Sequence, residues 1–293
     1  MRSLAWLMAC TSLVTVGCAA DPSLPVFVQT SNGPRACASP TPAHPSGPTF
    51  SDDPYRTPEK ELSESLRRTA QQVRPSLVSL RALPMSQSSA ATDVSGTHRT
   101  SASSWGTGVI ISADGVILTT AHVVRASREI VVTLADGSEH VVQEAALDEN
   151  LDLAALRIAK IDLFSLDPVT ASVDVGTPVV AVSAYCPGSE ECLRTGVVTN
   201  PCKSLQDDLD PGRTRQYSEL IESTTDLQPG YSGSPLVDLQ ARFVGVNVAV
   251  VDGQERDGPR GYAIPFNSAA RDAIARLAAK VVAKRTAPLQ DRK

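Results

Sequence analysis

The segment Trp105-Gly106-Thr107-Gly108-Val109-Ile110-Ile111-Ser112-Ala113-Asp114-Gly115-Val116-Ile117-Leu118-Thr119-Thr120-Ala121-His122 decides the fold class. Two apolar runs, Val109–Ile111 and Val116–Leu118, stand on either side of an Asp114-Gly115 turn. β-Branched side chains fit a pleated surface and Asp-Gly supplies the tight reversal, so the segment predicts a β-hairpin. The arrangement repeats around Asp136-Gly137, between Ile130–Leu134 and Val141-Val142. Further strands are predicted at Ala155–Ile158, Val179–Ser183, Gly196–Thr199, Leu220–Ser223, Pro235–Val237, Phe243–Val251 and Tyr262–Pro265. Short strands at this spacing, with scarcely a helix among them, predict an all-β fold of antiparallel barrels.

Outward from that core the texture changes. Thr57-Pro58-Glu59-Lys60-Glu61-Leu62 opens a helical stretch that runs to about Val73 and is ended by Pro75; Leu77, Val78 and Leu80 then begin the first strand. Residues 84–104 are rich in Ser, Thr and Ala without periodicity and read as a surface loop. A last helix follows Asn267, with Ala270, Ile274, Leu277 and Val281 at helical intervals. Residues 21–58 hold nine prolines and too little apolar surface to order themselves, the composition of a semi-rigid linker. The expected organisation is a signal over 1–20, this linker, a folded body over 59–285 and a tail over 286–293. No repeat at a solenoid period is present.

The chain has 293 residues, a formal net charge of −5 and 42% hydrophobic residues, enough apolar mass for a sizeable core. Disorder throughout and a multi-span membrane protein are excluded, and slight acidity gives no support to nucleic-acid binding. The first residues place Arg2 before an apolar run from Leu4 to Val16, too short for a comfortable membrane span and matched to a secretory signal. Small residues then lead to Cys18 in the manner of a bacterial lipoprotein box, with Thr15 unusual at a position where Leu is common. The expectation is an acylated Cys18 anchoring the body to a membrane, against simple cleavage after Ala20. Cys37, Cys186, Cys192 and Cys202 remain in the mature chain, with three pairings open if all are used. Cys186 and Cys192 flank Pro187-Gly188-Ser189-Glu190-Glu191 and form the plausible hairpin-closing pair; zinc ligation suits neither the spacing nor the lack of a nearby His.

Three motifs carry chemistry. In Pro229-Gly230-Tyr231-Ser232-Gly233-Ser234-Pro235, a serine between glycines on a turn can expose its hydroxyl and aim backbone N–H groups at one spot. Of four histidines, His44 lies in the linker, His98 in the loop and His140 at a polar strand edge; only His122 directly follows a buried-looking strand, the rigid mount a general base needs. Asp152, in Asn150-Leu151-Asp152-Leu153-Ala154-Ala155-Leu156, is an acid in an apolar run and requires a partner, which an imidazole N–H supplies. Asp148 is the back-up acid. Each motif also has a plain structural reading: a Gly-Ser turn, a core histidine, a strand cap.

In the order His122, Asp152, Ser232 the chain resembles the HtrA/DegP-type trypsin-like serine proteases. The likeness runs through Val73-Arg74-Pro75-Ser76-Leu77-Val78, Gly106–Ile110, Val244-Gly245-Val246-Asn247 and Gly261–Phe266, covering about residues 60–280. It implies two antiparallel six-stranded β-barrels, about 75–168 and 172–266, with a short N-terminal and a C-terminal helix. It further implies a cleft holding Ser232 as nucleophile, His122 as base and Asp152 as its orienting acid. The Gly230 and Ser232 amides, joined by that of Tyr231, form the expected oxyanion hole, and no metal or organic cofactor is required.

The departures matter. HtrA-type enzymes usually carry Gly-Asn-Ser-Gly-Gly, where this chain has Tyr231 and Ser234. Ser at the last position also occurs in glutamyl endopeptidases, which place His where Asn247 stands. Tyr231 replaces the aspartate with which digestive trypsins receive a new N-terminus. Nothing resembling the PDZ domain of most HtrA relatives follows the last helix. Asp226 lies six residues before Ser232, at the place of a trypsin-like specificity carboxylate. Directed into the pocket it implies cleavage after Lys or Arg; facing solvent, small apolar residues. The expected activity is that of a serine endopeptidase on protein or peptide substrates. The alternative is a catalytically inactive, protease-fold binding lipoprotein of the cell envelope.

Overall fold

A computed structural model describes residues 58–84, 103–125, 127–169, 173–185, 192–210, 213–248 and 260–286. The chain begins there with helix α1 (Pro58–Val73) and the short 3-10 turn Arg74–Ser76. Seven strands follow: β1 (Leu77–Pro84), β2 (Ser104–Ser112), β3 (Val116–Thr120), β4 (Ser127–Thr133), β5 (Glu139–Val141), β6 (Glu144–Asp148) and β7 (Leu153–Arg157), with helix α2 (Ala121–Val124) between β3 and β4. Six more are β8 (Pro178–Val182), β9 (Leu193–Asp210), β10 (Arg213–Ser223), β11 (Pro235–Asp238), β12 (Phe243–Val248) and β13 (Gly261–Pro265), before helix α3 (Ser268–Thr286).

The first seven strands form one sheet in the order β5-β4-β1-β2-β3-β7-β6, and the last six close a barrel in the order β10-β13-β12-β11-β8-β9. All strand pairings are antiparallel. The second unit is thus the expected six-stranded barrel. The first carries one strand more than expected, β6, along the edge of β7.

Alternation along the strands builds the core. On β3, Val116 and Leu118 face one apolar cluster and Ile117 another; on β7, Leu153 and Ala155 oppose Ala154 and Leu156 in the same way. One cluster fills the first sheet (Val78, Leu80, Ile110, Ile117, Ile130, Val132) and one the interior of the barrel (Val179, Ala181, Ile221, Leu236). The third lies between them, joining Leu118 and Leu153 to Val180, Val237 and Phe243. Strands buried on both faces are continuous apolar runs, the pattern visible in the sequence. Helices α1 and α3 seal this middle layer: α1 with Ala70 and Val73, α3 with Ala270, Ile274, Leu277 and Val281. The Asp114-Gly115 hairpin forms as expected, the Gly115 N–H donating to the Ser112 carbonyl over 3.1 Å.

The signal with Cys18, the Pro-rich segment, most of the 84–104 loop, residues 249–251 and the last seven residues lie outside the described residues, as do Cys37 and Cys186.

Candidate active site

Strand register brings His122 and Asp152 together. Thr120, the last residue of β3, pairs with Leu153, the first of β7. The residues just beyond that pair therefore meet, and the Ala121 N–H donates to the Asp152 carbonyl over 3.1 Å. The chain turns straight into α2, leaving the His122 side chain 26% exposed on the rim of the sheet.

Asp152 is completely buried, yet its carboxylate is well supplied with donors. Oδ1 accepts from the His122 main-chain N–H at 2.9 Å. Oδ2 lies 2.7 Å from His122 Nδ1 and 2.8 Å from the Tyr217 hydroxyl. An ionised carboxylate only accepts, so in the neutral imidazole this contact places the proton on Nδ1 and the lone pair on Nε2, the form a general base needs. Asp152 has φ 55, in the left-handed region, a conformation that a non-glycine residue holds only under restraint from its surroundings. The back-up acid, Asp148, does other work: its Oδ1 accepts from the Asn150 and Leu151 N–H groups, both at 3.2 Å, capping the turn that delivers Asp152.

Two β-turns meet at Tyr231, and Ser232 is the second residue of the later one. Tyr231 N–H donates to the Gln228 carbonyl at 3.0 Å, and Ser234 N–H to the Tyr231 carbonyl at 2.9 Å. Each turn has a glycine with positive φ at its third position, Gly230 (101) and Gly233 (83), and Pro229 occupies the second position of the first: both are type II. A Cβ on Gly230 would lie 2.5 Å from the Tyr185 carbonyl oxygen, and one on Gly233 2.2 Å from that of Thr107. Only glycine satisfies both constraints.

This geometry changes one expectation. The Tyr231 N–H closes its own turn and is not available to an oxyanion. Gly230 N–H has no acceptor among the described residues, so Gly230 and Ser232 remain the candidate donors. The Gly230 carbonyl is held on the opposite side by the hydroxyls of Thr107 (2.9 Å) and Ser183 (3.1 Å), which are 2.9 Å from each other. The Ser232 carbonyl accepts from Thr107 N–H at 2.9 Å. Ser232 itself is 7% exposed. A Cβ on Gly106 would meet Val123 at 2.8 Å and the Ser232 carbonyl oxygen at 3.1 Å, so the His122 helix and the serine turn abut a single glycine.

The remaining predicted residues divide. Asp226 is exposed to solvent. Asn247 is buried, its Nδ2 donating to Ser234 Oγ at 3.0 Å, its carbonyl accepting from Gly233 N–H and its own N–H donating to the Ser234 carbonyl, both at 2.8 Å. A serine at 234 is thus an acceptor that helps to fix the second turn to β12. The Tyr231 ring fills the barrel interior beside Val179, Ile221 and Leu236, with the Arg194 guanidinium 5.6 Å from its centre. Its hydroxyl is buried without a hydrogen-bond partner among the described residues, and burial pushes its pKa above 10.0. His140 contacts Ser138 at 3.1 Å, away from this site.

Sequence reasoning missed Thr107, Ser183 and Tyr217. The first two look like ordinary strand polar residues, and only their complete burial reveals a role. Tyr217 is separated from Asp152 by 65 residues, so no local pattern links them.

Residues 106–246 match the family model described as a trypsin-like peptidase domain. A probable periplasmic serine endoprotease of the DegP-like kind from Hahella chejuensis is 34% identical over 169 residues, 57% of this chain and 34% of that protein. Protease Do-like 1, chloroplastic, from Arabidopsis thaliana is 29% identical over 218 residues, 72% of this chain and 48% of that protein. The chain thus spans between a third and a half of the length of these relatives. Among solved structures, the fold is shared with the HtrA-type protease AlgW with tripeptide (TM-score 0.57, 23% identity, 75% of this chain and 64% of that one). It is shared also with the active form of the Rv3671c protease from M. tuberculosis (TM-score 0.58, 24% identity, 84% of this chain and 94% of that one). The two-turn serine segment and the His122–Asp152 pair accordingly lie within the residues that match the trypsin-like peptidase domain model, and the chain is similar to the HtrA/DegP-type serine proteases.

Proposed function

We propose that this protein is a serine endopeptidase that cleaves peptide bonds in proteins through Ser232, His122 and Asp152. The observation that carries the reading is the buried Asp152 carboxylate, which holds both the backbone and the Nδ1 of His122 and leaves Nε2 as the base.

Ser232 Oγ attacks the substrate carbonyl as His122 Nε2 takes the hydroxyl proton. The carbonyl oxygen gains negative charge, which the N–H groups of Gly230 and Ser232 stabilise; one such donor is worth about 10²–10³ in rate. The tetrahedral intermediate collapses as His122 returns the proton to the leaving amine. Water, activated by the same imidazole, then hydrolyses the acyl-enzyme. Asp152 stays ionised throughout and stabilises the imidazolium. All groups that move protons or accept charge in this scheme are side chains and amides of the protein.

The exposure of Asp226 supports a preference for small apolar residues before the scissile bond over Lys or Arg. The DegP-like relatives are named as periplasmic, which supports export, with the apolar leader as signal and Cys18 as the site of a lipid anchor. Cys186–Cys192 is the proposed disulfide. The domain boundaries, a protease body over 59–285 after a Pro-rich tether, belong to the same proposal.

Digestion of a peptide library tests the activity. Internal cleavage by the wild-type chain that vanishes in Ser232→Ala supports it; equal cleavage by both proteins, or none by either, contradicts it and favours a binding module on a protease fold.

A further inference from the structure

The two halves of the site belong to different sheets. His122 and Asp152 are mounted on the first, Ser232 on the barrel. Their alignment depends on contacts across the layer between them. One such contact touches the nucleophile side: Thr107 N–H, from β2, holds the Ser232 carbonyl. A second reaches the acid side in the opposite sense. The Tyr217 hydroxyl, from β10 of the barrel, lies 2.8 Å from Asp152 Oδ2.

Tyr217 is 5% exposed and its ring belongs to the inter-sheet apolar cluster, so its position is fixed by packing before its hydroxyl makes any bond. The oxygen it meets is the one that faces His122 Nδ1. We infer that Tyr217 is a positioning residue: a hydroxyl from the barrel that pins the Asp152 carboxylate, and through it the His122 ring, in register with Ser232. This rests on the proposed protease reading.

The chemistry gives the bond two consequences. It supplies one donor to a fully buried carboxylate, beside the two that His122 provides. It also shares Oδ2 with the imidazole N–H, so the two donors draw on the same lone-pair density and each weakens the other's bond. Removing the phenol hydroxyl strengthens the Nδ1–H···Oδ2 bond while freeing the carboxylate to turn.

Tyr217→Phe in the full chain separates these effects from a structural loss, because the ring and its packing remain. The downfield imidazole N–H resonance that Asp152→Asn abolishes is followed by proton NMR, together with the saturation kinetics of a fluorophosphonate probe. The expected result is a downfield move of that resonance and a fall of about tenfold in the maximal phosphonylation rate, at unchanged half-saturating probe concentration. A resonance and maximal rate identical to wild type overturn the inference. Global 3-fluorotyrosine substitution provides a second route should Tyr217→Phe fail to fold: the more acidic phenol is a stronger donor, so the resonance moves upfield, and an unmoved line again overturns the inference. The NMR arm stands apart from catalysis. A resonance that responds in a protein showing no Ser232-dependent labelling removes the protease reading and the catalytic role while leaving the hydrogen bond intact.

Discussion

One carboxylate holds His122 twice: Asp152 Oδ1 accepts from its backbone N–H at 2.9 Å, and Oδ2 lies 2.7 Å from its ring Nδ1. Helix position and ring orientation are fixed by the same side chain, so the two are not independent.

Asp152→Asn tests that coupling. An amide can turn its NH₂ toward Nδ1 and stabilise the wrong tautomer, leaving Nε2 protonated and unable to act as base. Activity toward a cleavable peptide is expected to fall by about 10⁴ with the fold retained, as judged by circular dichroism. Loss of less than tenfold contradicts the assigned role.

The serine turns predict a sharp backbone cost. Gly233→Ala imposes a Cβ 2.2 Å from both the Thr107 carbonyl oxygen and Thr119 Oγ1, at a φ of 83. Destabilisation of at least about 3 kcal/mol is expected in urea unfolding, because strain and overlap add. A variant within about 0.5 kcal/mol of wild type contradicts the turn geometry, since that is the range of a neutral surface change.

Tyr231 separates ring from hydroxyl. The buried hydroxyl has no partner among the described residues, so Tyr231→Phe is expected to raise stability by about 1 kcal/mol and keep activity, whereas Tyr231→Ala empties the barrel and costs about 3–5 kcal/mol. Burial pushes the phenol above its ordinary 10.0. The folded state therefore resists an ionisation that the unfolded chain accepts. The stability of the wild type is expected to fall as pH rises past 10, and Tyr231→Phe to remove part of that fall. An unfolding–alkaline titration comparing the two proteins checks the sign.

Asp114 and Arg157 supply a second electrostatic test. Arg157 is 3% exposed and its Nη1 donates to Asp114 Oδ2 at 2.7 Å. The Ser112 hydroxyl first, and Arg157 next, hold the Asp114 carboxyl below its usual 3.8. This contribution is present above that value and is lost as pH falls through the lowered one. Asp114→Ala removes a carboxylate that is 45% exposed, so water takes up part of the contact with Arg157 and the expected cost at neutral pH is about 1 kcal/mol; adding Arg157→Met should recover most of it. A double variant no more stable than the single one contradicts the pairing.

The sequence made the hairpins legible because β-branched runs and Asp-Gly turns encode them locally. It hid β6, whose Glu144-Ala145-Ala146-Leu147-Asp148 consists largely of residues that favour helices; pairing with β7 overrides that preference at a sheet edge. The ends of β9 and β10 were hidden too, since residues 200–215 carry charged and polar side chains with no alternation, and their partners are each other. For the candidate site, residue type and order single out His122, Asp152 and Ser232, and the register of β3 against β7 accounts for the contact between the first two. The occupation of the Tyr231 amide and the exposure of Asp226 were not, because both depend on how a loop turns. Tyr217 lay beyond reach because its partner comes from another sheet.

Intact-mass and peptide-mapping analysis after treatment with a fluorophosphonate probes the central claim most directly, since phosphonylation needs an activated serine hydroxyl. The account predicts a single adduct on the peptide containing Ser232, absent in Ser232→Ala and strongly slowed in His122→Ala. Folded wild-type protein that takes up no adduct, or takes it up equally in all three, would contradict it.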